Sequence, residues 1–115
     1  MDKVTAAIYA KTLDALSLRA MITAQNIANV NSKNYQPFKV EFEKALNAAA
    51  KVGPAAVNNV EPVISKQVAT AQAASSMRLD MELIAASQTA ARYTALLNII
   101  GRDMALQRLV IRGGQ

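Results

Sequence analysis

Residues 3–31 read KVTAAIYAKTLDALSLRAMITAQNIANVN, a run of 29 residues without Gly or Pro. Ala6, Leu13, Ala20 and Ile27 recur every seven positions, and so do Tyr9, Leu16, Thr23 and Val30. A seven-residue recurrence of mostly apolar residues in two columns is the pattern of an α-helix that lays one seam against a partner. Thr23 is the weak member. At 1.5 Å per residue such a helix is roughly 43 Å long.

A partner of the same kind lies at the other end of the chain. From about Asp80 to Arg112, one column reads Leu79, Ala86, Tyr93, Ile100. The other reads Leu83, Ala90, Leu97, Met104, Ile111. Asp80 and Glu82 near its start and Arg108 and Arg112 near its end complement the helix dipole. Gly113 and Gly114 supply a stop, whereas Gly101 is an interior glycine that either costs about 1 kcal/mol relative to Ala where exposed or admits close approach of a neighbouring helix. The spacing therefore predicts a mainly α protein: two long terminal helices paired as an antiparallel, coiled-coil-like hairpin, with a short extended or irregular middle segment.

The chain divides accordingly into residues 1–31, 32–76 and 77–115, within one structural unit. Asn31-Ser32-Lys33-Asn34-Tyr35-Gln36-Pro37 is a turn cluster in which Asn34 can adopt a left-handed conformation. Phe38-Lys39-Val40-Glu41-Phe42 alternates apolar and charged residues, as a short extended stretch does. Residues 43–51 suit a short Ala-rich helix. Residues 52–76, small and polar with Pro54 and Pro62, are expected to form a flexible connector.

Both terminal segments carry more apolar surface than one seam uses. Ile8, Leu18, Met21 and Ile22 fall off the first seam; Ile84, Leu96, Ile99, Leu106, Leu109 and Val110 fall off the second. A helix apolar on more than one face is buried on more than one face. Residues 43–51 are too few to cover both long helices, so the pattern points to a subunit of a helical assembly. The candidate seam and assembly residues are Leu13, Leu16, Ile27, Leu83, Tyr93, Leu97, Ile100 and Met104.

Composition narrows the chemistry. The 115 residues include 23 Ala but no Cys, His or Trp. No disulfide, thiolate metal site or imidazole-dependent triad is available; carboxylate-only metal sites and Lys chemistry pass this filter, but no cofactor, metal or enzymatic activity is expected. The closest carboxylate pairs, Glu41/Glu43 and Asp80/Glu82, lack a companion group. The formal charge of +5 is spread as +1, +2 and +2 over the three segments. A nucleic-acid binder concentrates its basic residues, so a mixed solvated surface is the expectation here. No uncharged run reaches the ~18 apolar residues of a membrane span, and no cleavable signal segment is expected.

The end of the first helix is the most specific stretch. Asn26-Ile27-Ala28-Asn29, followed by Ser32-Lys33-Asn34-Tyr35, resembles the N-terminal signature of flagellar rod and hook proteins. There Asn-Ile-Ala-Asn or Asn-Leu-Ala-Asn precedes Thr-Pro-Gly-Tyr; here Pro and Gly are replaced. The likeness extends to Leu16, Leu18 and Arg19 upstream and to Phe42 and Leu46 downstream. Leu79-Asp80-Met81-Glu82 and Ala91-Arg92-Tyr93-Thr94-Ala95 look like that family's terminal helix. Together the two blocks cover about 70 of the 115 residues.

Chain length and the Asn-Ile-Ala-Asn form most resemble the proximal rod members. The resemblance implies an axial structural subunit of the basal body in the cell envelope, exported by the flagellar type III system without signal cleavage. Its implied partners are copies of itself, the rod proteins FlgC, FlgF and FlgG, the junction protein FliE, the MS ring and the export gate. Asn26, Ile27, Ala28, Asn29, Asn34 and Tyr35 would shape the exit turn. Two other classes stay open: an amphipathic membrane-surface or export-accessory protein, and a small basic nucleic-acid-binding module.

Overall fold

The computed structural model describes residues 1–68 and 73–113. In chain order the elements are α1 (Lys3–Ala28), β1 (Phe38–Glu41), α2 (Glu43–Ala50), α3 (Pro54–Asn58), β2 (Val63–Lys66) and α4 (Ser75–Gly113). The protein is mainly α, and α1 and α4 form an antiparallel hairpin: Asn26 meets Glu82 near one end and Tyr9 meets Asp103 near the other. The molecule measures 64 × 25 × 15 Å, and its length is that of α4, whose 39 residues span roughly 58 Å.

The helix ends follow local chemistry. Asp2 caps α1, its carboxylate accepting from the Thr5 amide at 2.6 Å, which offsets one orphan N–H of the first turn. At the other end α1 stops at Ala28 and not at Asn31, and the Asn29 side chain donates to the Gln25 carbonyl at 2.9 Å. In the turn that follows, Asn34 has φ +64°, the left-handed conformation expected of it. α4 begins at Ser75, five residues before Asp80. Glu82 therefore lies past the first turn, and the helix dipole does not explain it.

The middle segment differs from the flexible connector expected over 52–76. Gly53, with φ +151°, turns the chain into α3, and Pro54 opens that helix. β2 then pairs antiparallel with β1, placing Phe38 opposite Lys66 and Glu41 opposite Val63. Val57 is completely buried. This stretch is ordered because α3 packs against α1 and α2. Ala7, Ala15, Leu16 and Ile22 of α1 form one core with Val40, Phe42, Leu46 and Val57. The middle segment thus covers part of the apolar excess of α1, more than residues 43–51 alone were expected to do. Residues 69–72 of the expected connector, and Gly114 of the expected stop, lie outside the described residues.

The hairpin seam is also shifted from the one the heptads imply. On α4, Leu79, Ala86, Tyr93 and Ile100 are half-buried, as expected, but the second inward column is Glu82, Thr89, Leu96 and Asp103. Leu83 (47%), Leu97 (48%) and Met104 (51%) are exposed, with Ala90 and Ile111 beside them. On α1, Tyr9 is half-buried and Leu16, Thr23 and Val30 are buried, while Ala6 and Ala20 face outward and Leu13 and Ile27 are half-buried. The physical reason lies in hydrogen bonds. Glu82 and Asp103 face inward because Asn26, Gln67 and Tyr9 meet them there, which offsets their desolvation.

Candidate functional site

The exit turn of α1 is organised by one side chain. Asn26 is 2% exposed and uses its full hydrogen-bonding capacity of two donors and two acceptor positions. Its Nδ2 donates to the Phe38 carbonyl at 2.8 Å and to Glu82 Oε1 at 3.1 Å. Its Oδ1 accepts from the Phe38 amide at 3.0 Å and from Tyr35 Oη at 2.8 Å. The Gln67 amide donates to the Pro37 carbonyl, so by the alternation of an antiparallel ladder Phe38 turns its backbone away from β2. The Asn26 amide takes the place of a neighbouring strand at that residue.

The same point joins four elements. Gln67 Nε2, just after β2, donates to the Phe38 carbonyl at 2.9 Å and to Glu82 Oε1 at 3.2 Å. Arg78 of α4 donates to the Val30 carbonyl at 3.1 Å. Tyr35 packs edge-on against Phe38, with ring centroids 6.3 Å apart. Burial, and then the Glu82 carboxylate, hold the Tyr35 hydroxyl above its ordinary value of 10.0. Of the motif residues, Asn26, Asn29, Asn34 and Tyr35 act in the turn. Ile27 and Ala28 lie on the outer side of α1, half-buried and exposed. Gln67 and the inward role of Glu82 had no sequence signal, because each depends on a partner from a distant segment.

A second cluster lies one step along α1. Arg19 reaches over the Phe42 ring, 4.8 Å from its centroid, and donates to the Val40 carbonyl and to Glu43. Glu41 pairs with Lys39 at 2.8 Å, and that hydrogen bond first, then the charge, lowers its carboxyl below 4.5. Of the carboxylates considered for acid–base work, Glu41 and Glu43 are held in ion pairs and Glu82 accepts from two amides, while Asp80 is exposed. No group of three or more potential metal ligands occurs among the described residues.

Two apolar recesses lie on opposite sides of the α1–α4 layer. On the front, beside α2, a groove of about 460 Å³ is lined by Ile8, Leu16, Phe42, Leu46, Leu96 and Ile99, among others. On the back, a smaller groove of about 360 Å³ is formed by α1 and α4 alone, with Ser17, Ala20, Ala86, Ala90 and Thr94 in its walls. Leu83, Leu97, Met104 and Ile111 continue the Ala90 column along the back. Gly101 is open to solvent, with nothing within 4 Å of where a Cβ would stand. No neighbouring helix approaches it closely among the described residues. Of the candidate seam residues, Leu16, Tyr93 and Ile100 lie in the hairpin interior; Leu83, Leu97 and Met104 line the back.

No protein-family model matches the chain, and neither a curated protein nor a solved structure matches it. No described helix is long and apolar enough to cross a membrane.

Proposed function

We propose that this chain is a structural subunit of a helical assembly, and that the assembly is the proximal rod of the bacterial flagellum, with FlgB as the nearest counterpart. The observation that carries the first half is the back of α4. A column of Leu83, Ala90, Leu97, Met104 and Ile111 repeats every seven residues and is exposed along its whole length. Each large side chain left in water forfeits about 1.5–3 kcal/mol of burial, so a continuous column favours a partner surface. The second half rests on the sequence resemblance at both ends of the chain. The residues that carry it meet in space: Asn26 with Tyr35, and Arg19 with Phe42.

In this role the terminal helices polymerise with copies of the chain and with the rod proteins FlgC, FlgF and FlgG. The subunit joins the MS ring, export gate and FliE junction to the rest of the rod. Torque passes through many helix-to-helix contacts, and no catalytic step is involved. A FlgC-like position in the same rod is the neighbouring assignment.

The test is biochemical. Epitope-tagged chain is expected to co-purify with detergent-extracted basal bodies and to remain after hook and filament are removed. Its absence from those particles, in cells that export and swim normally without it, would refute the rod assignment.

A further inference from the structure

We propose that the exit turn is a binding site for one internal water molecule, which bridges the Arg78 guanidinium to the Glu82 carboxylate. Arg78 carries five N–H donors. Its Nη2 donates to the Val30 carbonyl at 3.1 Å and to Ser75 Oγ at 3.4 Å. Its Nε is buried and meets no acceptor among the described residues. A buried donor without a partner is rare in folded proteins, and a charged one is costly.

An acceptor stands one turn away on the same helix. Glu82 follows Arg78 by four residues, so the two share a face of α4. Glu82 is 7% exposed, and its Oε1 accepts from Asn26 and Gln67. Among the described residues no hydrogen bond reaches its Oε2, and the only ion pairs are Arg19–Glu43 and Lys39–Glu41. A cation and an anion that both lack a partner thus lie close without touching. Both line a cavity of about 10 Å³, together with Asn26, Val30, Tyr35 and Pro37. That is about the space one water needs, and it is too small for a larger ligand.

Hydrogen-bond capacity selects the occupant. The Asn26 amide is fully used within the protein. Tyr35 Oη gives its proton to Asn26 Oδ1 and keeps a lone pair. The occupant must therefore accept from Arg78 Nε and donate to Glu82 Oε2 and Tyr35 Oη. Water does both, and three bonds are the usual number for an internal water. A halide would accept from Arg78 but repel the carboxylate, whereas a metal cation or an ammonium offers Nε no acceptor. The bridge supplies buried Glu82 with a countercharge from its own helix. It also ties the start of α4 to the turn that follows α1. It is a property of the single chain and does not depend on the assembly proposed above.

The full chain, crystallised at a resolution that shows ordered solvent, should carry one water peak within hydrogen-bond distance of Arg78 Nε, Glu82 Oε2 and Tyr35 Oη. In solution, the Arg78 Nε–H of isotope-labelled chain should give an NMR cross-peak to water with the sign of a long-lived bound molecule. Val30→Ile puts one more methyl group into the cavity. Filling a mere packing void raises the midpoint of thermal unfolding. Displacing a bonded water leaves Nε unpaired, so the midpoint should instead fall by about 4 °C or more and the cross-peak should vanish. Direct contact of Nε with a protein oxygen, a cavity without solvent density, or a wild type without the cross-peak would each overturn the inference. So would a midpoint that holds or rises in Val30→Ile. The two wild-type measurements decide the matter even where that variant fails to fold.

Discussion

Replacing Asn26 by Ala tests the point where α1, the exit turn, β1 and α4 meet. The substitution removes four hydrogen bonds at once, but the four partners do not lose equally. The Phe38 carbonyl and Glu82 Oε1 each keep a bond from Gln67 Nε2. The Phe38 amide and Tyr35 Oη lose the partner that Asn26 Oδ1 supplies. A buried group left unpaired costs about 1–3 kcal/mol, so two such groups predict a loss of about 2–6 kcal/mol. That is a large part of the 5–15 kcal/mol typical of a folded domain. At ~4 °C per kcal/mol for a chain of this size, the midpoint of thermal unfolding should fall by at least ~8 °C. Asn26→Asp sharpens the test, because it replaces the donor with an oxygen facing the Phe38 carbonyl and Glu82. It should be no more stable than the Ala variant at neutral pH and should recover as acid protonates the new carboxyl. Urea unfolding followed by circular dichroism reads both. A loss below ~0.5 kcal/mol for Asn26→Ala, the range of an ordinary surface change, would show that this amide does not organise the turn.

Other expectations follow from single contacts. Tyr9 donates its hydroxyl to Asp103 at 2.5 Å, and this bond first, with desolvation and then the Asp103 charge, raises the Tyr9 pKa above 10.0. A raised folded value gives stability that is complete below pH 10 and lost as pH rises through it, so thermal midpoints measured above pH 10 should converge on those of Tyr9→Phe. Asp2 shows the opposite sign: its bond to the Thr5 amide lowers its pKa below 3.8. Its contribution is present above that value and fades as pH falls through the folded one. The protection of the Thr5 amide against exchange, relative to its intrinsic rate at each pH, should therefore fall in acid for wild type but not for Asp2→Asn, which caps without titrating. At Asn34, with φ +64°, Asn34→Gly should be neutral or stabilising and Asn34→Ala should cost about 1 kcal/mol; equal midpoints for the two would contradict the left-handed turn.

What could be read in the chain before folding follows from how local each cause is. The long Gly- and Pro-free periodic run, the left-handed Asn34, the alternation at Phe38–Phe42 and the Ala-rich helix after it depend on neighbours a few residues away. The ordering of α3 and β2 was not legible, because α3 gains its packing from α1 and α2 and β2 gains its ladder from β1, and their own residues carry no record of those partners.

The seam separates the two kinds of information most clearly. Heptad spacing determined that α1 and α4 are long helices with two apolar columns each, and for each helix one of those columns does face inward. Which column joins it was decided in three dimensions. Glu82 and Asp103 turn inward because Asn26, Gln67 and Tyr9 offer hydrogen bonds there, while Leu97 and Met104 turn out. A hydrophobicity pattern counts a carboxylate as a surface residue because it carries no record of the distant partner that makes burial affordable. The apolar columns displaced to the outside are the surface on which assembly is proposed to occur.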